Sequence, residues 1–112
     1  MVNYLWINTP PTVYGANSPI ALTAVTKCVC FDQLCVALEY SGNTALNPII
    51  LRVQWFDQNQ VPLYTEDLIT GTSAAENNST IYSVKGSYAQ LSLVGSINPL
   101  FTASTQAILK NY

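Results

Sequence analysis

The residues of this chain whose types and spacing could do chemistry are the cysteines Cys28, Cys30 and Cys35 and the carboxylate pair Glu66-Asp67. There is no histidine. That removes the commonest general base, the usual partner of a Ser or Cys nucleophile, and the commonest metal ligand. Three thiols fall short of the four ligands of a structural zinc site, unless a subunit interface supplies the rest. Glu66 and Asp67 are adjacent, and consecutive side chains of a strand face opposite ways. They do not converge on one substrate atom. Asp32, Glu39, Asp57 and Glu76 fall in or near predicted turns, where solvation is the ordinary role of a carboxylate. The five glycines are isolated and form no phosphate loop. These residues predict no enzyme, no cofactor and no bound metal.

The thiols admit two readings. A two-residue turn at Asp32-Gln33 sets Cys30 opposite Cys35, within disulfide reach, and leaves Cys28 to link chains. Alternatively all three are free and buried, acting as small hydrophobes in a reducing cytosol. The expectation here is free thiols.

The elements that must position these residues are strands. The clearest is Ile49 to Trp55, with Ile49, Leu51, Val53 and Trp55 on one face and Arg52 and Gln54 on the other. Asp57 to Gln60 reads as a hairpin loop, and Val61 to Ile69 as the returning strand. Pro62 marks that strand as an edge or a bulge. Tyr88 to Val94 alternates again, and Phe101 to Leu109 places Ala103, Ala107 and Leu109 on one side. Ala21 to Phe31, Leu34 to Tyr40 and Thr80 to Val84 also have β character. Polar or glycine-bearing breaks fall at Ser41 to Asn43, Gly71 to Asn78, Lys85 to Ser87 and Gly95 to Pro99. Thr44 to Leu46 and Ser73 to Glu76 predict a helical turn at most. Short strands separated by turn signals predict an all-β chain: a small β-sandwich, jelly-roll or Ig-like, or a partly closed barrel.

Residues 1–21 stand apart. Pro10, Pro11 and Pro19 forbid a helix and favour extended backbone. Tyr4, Leu5, Trp6, Ile7, Val13 and Tyr14 are too apolar for a solvated tail. The segment is either a first strand on its own body or an extended arm that docks on a neighbour. The arm reading divides the chain into an arm, 1–21, and one β-sandwich domain, 22–112. It makes those six residues the partner interface, and it expects deletion of residues 1–20 to abolish assembly yet spare the β body.

Composition narrows the partners. The 112 residues are 49% hydrophobic and 9% charged, against ~25% charged in ordinary soluble domains. Depleted charge and plentiful aromatics suit a surface committed to contacts. Lys27, Arg52, Lys85 and Lys110 are scattered, so nucleic acid and anionic membrane are not expected partners. No basic, apolar leader opens the chain, which predicts synthesis in the cytosol without a signal peptide. The seven Tyr and two Trp suit a protein interface or a sugar-stacking platform.

This layout resembles the small decoration, or cement, proteins on the heads of tailed bacteriophages. It combines a short β-sandwich, a proline-punctuated apolar N-terminus, few charges and no catalytic set. The resemblance implies a homotrimer on the virion surface that grips a major capsid protein, with Tyr4, Trp6 and Ile7 touching neighbours and no small-molecule substrate. The layout is also similar to spore-appendage subunits, which implies a self-assembling fibre. The clustering of cysteines at 28–35 departs from that second pattern. A carbohydrate-binding module is the third reading.

Overall fold

The computed structural model describes residues 2–14, 19–44, 46–95 and 100–111. They form ten strands: β1 (Val2–Asn8), β2 (Thr12–Tyr14), β3 (Ile20–Ala21), β4 (Thr26–Lys27), β5 (Gln33–Ser41), β6 (Ile49–Phe56), β7 (Pro62–Gly71), β8 (Glu76–Ser83), β9 (Tyr88–Gly95) and β10 (Phe101–Asn111). All pairings are antiparallel. No helix occurs among the described residues.

Two sheets result. The first runs β1-β10-β5-β8, with β2 continuing β1 along β10; the second runs β3-β9-β6-β7, with β4 continuing β3 along β9. Counted from the two ends of the chain, each strand meets its counterpart. Thus β1 and β2 pair with β10, β3 and β4 with β9, β5 with β8, and β6 with β7. The chain is one long antiparallel hairpin, rolled until β10 also meets β5 and β9 also meets β6. That is the jelly roll, the doubled Greek key that packs two sheets face to face. Of the architectures the alternation allowed, this is the one observed.

The core lies between the sheets. In β5, Leu34, Val36, Leu38 and Tyr40 are buried; in β6, Ile49, Leu51, Val53 and Trp55; in β9, Ala89, Leu91 and Leu93; in β10, Phe101, Ala103, Ala107 and Leu109. The period of two thus puts one face of every central strand inside. Trp55 is wholly buried, and its indole N–H donates to Glu66 Oε1 at 3.2 Å. A buried indole without such a partner would carry a desolvation cost. Gly95 and Gly71 both pair with Ile49. A Cβ at Gly95 would sit 2.5 Å from the Phe101 ring, and one at Gly71 2.4 Å from the Tyr40 hydroxyl. Glycine lets these two rings of the facing sheet close over Ile49.

Several details depart from expectation. Ala21 to Phe31 is not one strand. Its ladder to β9 is continuous only at Ile20–Ala21 and Thr26–Lys27, with two extra residues accommodated between. Within that gap Thr23 Oγ1 accepts the Leu91 N–H at 3.1 Å. A Thr hydroxyl offering the backbone an alternative partner is what breaks the ladder there. The same device recurs between β1 and β2, where Thr9 Oγ1 accepts the Thr105 N–H at 2.9 Å. Asp32-Gln33 is no hairpin turn: the chain passes there from the second sheet to the first, so Cys30 does not face Cys35. Residues 73–75 bend, and Glu76 starts a strand. The break at Gly95 to Pro99 lies outside the described residues beyond Gly95, as does residue 45 of the Thr44 to Leu46 turn.

The 57–60 hairpin follows from its sequence. Asp57 Oδ1 accepts the N–H groups of Asn59 at 2.8 Å and Val61 at 2.9 Å, and Gln60 takes φ 62°. Asp at the head of such a loop is an Asx turn. Pro62 begins β7, an edge strand, next to a register shift at Trp55/Phe56.

Candidate assembly surface

The predicted interface residues do not form one surface. Trp6 turns inwards: it is 8% exposed and its indole N–H donates to Thr26 Oγ1 at 3.0 Å. That bond ties the first sheet's edge to the second sheet. The register slips between Leu5 and Ile7 to make room for the ring. Ile7 and Tyr14 pack against the core, and Tyr14 stacks on Phe101 with centroids 5.8 Å apart. Tyr4 stacks on Phe31 at 6.1 Å and is half exposed. Leu5 and Val13 face solvent, opposite Ile108 and Thr102 of β10. Residues 2–14 are therefore the first strand of the jelly roll, lying on β10 of their own chain.

The thiols also separate. Cys28 is fully buried and lies 3.4 Å from the Gly86 carbonyl, to which it donates; Cys30 is exposed and Cys35 half-buried. All three are free. Of the three, only Cys28 is buried. Burial pushes the Cys28 thiol up to about 11, and the neighbouring Cys30 adds to the rise. Such a thiol is a poor nucleophile at neutral pH. Glu66 and Asp67 diverge as the strand period requires. Glu66 binds Lys85 at 2.6 Å, and that hydrogen bond raises the Lys85 pKa; Asp67 binds Arg52 at 2.6 Å. Among the described residues, no group of three or more His, Cys, Asp or Glu is placed to hold a metal ion.

The two outer faces differ. The outer face of the second sheet carries Gln54, Gln90, Ser92 and the Arg52–Asp67 pair, with one apolar pair, Ile50 and Val94, beside them. On the first sheet, the registers align Leu5 with Ile108, Ile108 with Cys35 and Cys35 with Ile81. An apolar row thus crosses all four strand positions, perpendicular to the strands. Leu5 is 52% and Ile81 61% exposed. Largely polar rows flank it: Asn3, Lys110, Gln33 and Ser83 on one side, and Asn8, Gln106 and Ser79, with Ala37 among them, on the other. Cys35, Ala37, Ile81 and Ile108 line a shallow open depression in this face. Sequence reasoning missed Ile81 and Ile108. The signal was there: each is an apolar residue at the outward parity of its strand.

This fold has counterparts among known structures. The chain superposes on the protein of infectious bursal virus-derived T=1 particles with a TM-score of 0.61, at 10% identity, over 98% of this chain and 31% of that one. It matches VP2 of an infectious bursal disease virus subviral particle at TM-score 0.59 and 9% identity, over 98% of this chain and 32% of VP2. The Gx strain of the same virus gives TM-score 0.61 at 10% identity, again over 98% and 32%. The chain therefore spans about a third of the length of these proteins. At such identities the likeness is one of fold. No protein-family profile and no curated protein sequence matches the chain.

Proposed function

We propose that this chain is a structural component of a virion shell, held by neighbours through its surface and not engaged in catalysis. One observation carries the reading: the whole jelly roll, and not a fragment of it, has its counterpart in proteins of virus particles. The apolar row on the first sheet supports it, because a contact surface differs from ordinary surface by fewer charges at its centre. The finer form of the proposal is a decoration subunit, a homotrimer on the capsid exterior that clamps major capsid proteins. An arm acting in trans would keep its present partner strand, taking β10 of a neighbouring copy. Exchange of an identical element preserves every hydrogen bond of the closed form.

The experiment is to purify the chain, follow its mass by light scattering from micromolar to millimolar concentration, and image it by electron microscopy. Closed particles, or an oligomer of discrete mass larger than a dimer, are expected. A monomer throughout, or open filaments, would overturn the shell reading; filaments would favour the fibre subunit.

A further inference from the structure

The jelly roll leaves four sheet edges, and three are blunted. The β1–β2 edge is broken by a register slip and by Pro10 and Pro11. β3 and β4 are two residues each. β7 opens on Pro62, shifts register twice and carries Glu66 and Asp67. These are the devices by which edge strands avoid pairing with other chains. β8 lacks the breaks, and its one charge, Glu76, stands at its first residue. It runs in unbroken register against β5 from Ser83 to Glu76, with no proline and no lysine, and the side chains of Asn77, Asn78, Ser79, Ile81 and Ser83 are exposed.

We infer that β8 is a homotypic edge, pairing antiparallel with β8 of a second copy about a two-fold axis through Ile81. One observation selects the register: the apolar row of the outer face ends at Ile81. In an antiparallel pair directly opposed residues share a face. Centring the axis on Ile81 sets Ile81 against Ile81 of the second copy, and the row continues without a break from Leu5 of one copy to Leu5 of the other. Centring on Thr80 or Tyr82 sets Ile81 against a serine, and centring on Ser79 sets it against Asn77. Lys85, bound to Glu66 of its own copy, comes opposite the uncharged Asn77 of the second copy, so no like charges meet across the pair. A two-fold contact of this kind uses the same patch on both subunits, and it closes as a dimer where a shell needs a joint between larger units.

Cysteine scanning tests the register in a Cys30→Ser/Cys35→Ser background, with disulfide formation read on a non-reducing gel. Ile81→Cys is expected to cross-link copies rapidly, because directly opposed residues lie within disulfide reach. Ser79→Cys, which faces Ser83 of the second copy, is expected not to. Separately, Ile81→Lys places like charges face to face. It should raise the dimer dissociation constant at least tenfold while circular dichroism and the melting temperature of the exposed-site variant stay unchanged. Equal cross-linking of the two cysteine variants, none by either, or an unaltered dimer in Ile81→Lys would overturn the inference. Particles without Ile81 cross-links would sink this pairing and leave the shell reading standing. A cross-linked dimer that never grows would do the reverse.

Discussion

Cys28 shows how one buried group ties stability to pH. Its thiol is held neutral, with its pKa raised from 9.0 to about 11. In the unfolded chain the same thiol ionises near its ordinary value. The folded state therefore binds the extra proton above pH 9. The stability this gives is full below pH 9 and is lost as pH rises from 9 towards 11, on the order of 1.4 kcal/mol per pH unit for one group. Urea midpoints measured from pH 8 to pH 11 should fall over that window, and Cys28→Ser should flatten the fall. The same burial orders the thiols: Cys30 should alkylate first, Cys35 more slowly, and Cys28 only in denaturant. Mass spectrometry along a time course reads that order directly.

At the scale of the element, β1 is where sequence and structure pull hardest on each other. Its side chains divide between the core and solvent. Trp6 is buried and bonded to Thr26, while Leu5 beside it is half exposed on the outer face. Trp6→Ala should therefore cost about 3–5 kcal/mol, the usual figure for emptying an aromatic site. Leu5→Ser should cost well under 1 kcal/mol, as exposed substitutions do. Thermal melts of the two variants decide between strand and arm. An unchanged melting temperature in Trp6→Ala would return the segment to the arm reading. Deletion of residues 1–20, expected from sequence to spare the β body, now removes two of the strands on β10 and should leave a poorly cooperative fold.

The whole molecule is a slab with Cα extents of 39 × 28 × 18 Å, about two sheets thick. Its sandwich is pinned at both open sides by polar aromatic tips. Trp6 reaches Thr26 on one side, and Tyr82 donates to the Leu68 carbonyl at 2.6 Å on the other. A tile of this shape offers two broad outer faces, and among the described residues the apolar row that crosses every strand lies on the first sheet's. Ile108→Lys, at the centre of that row, should leave the melting temperature nearly unchanged and suppress assembly in light scattering. If the variant assembles like the parent, the row is not a contact.

The sequence by itself determined the local structure of the central strands. The alternation at Ile49 to Trp55 and Tyr88 to Val94 is a property of neighbours two apart, and the core residues follow from it. The hairpin loop at Asp57 to Gln60 was equally legible, and Pro62 narrowed β7 to an edge or a bulge, because each rests on local chemistry. The missing histidine, too, needed no structure. What only the tertiary structure decided was which strands meet. Jelly-roll pairing joins the two ends of the chain, and no local pattern encodes the partner of β1. The fate of Trp6 depended on that pairing, since an aromatic beside prolines looks the same whether it fills its own core or a neighbour's. So did the candidate surface. Leu5, Ile108, Cys35 and Ile81 are far apart in the chain, and they became a row only when three registers aligned them.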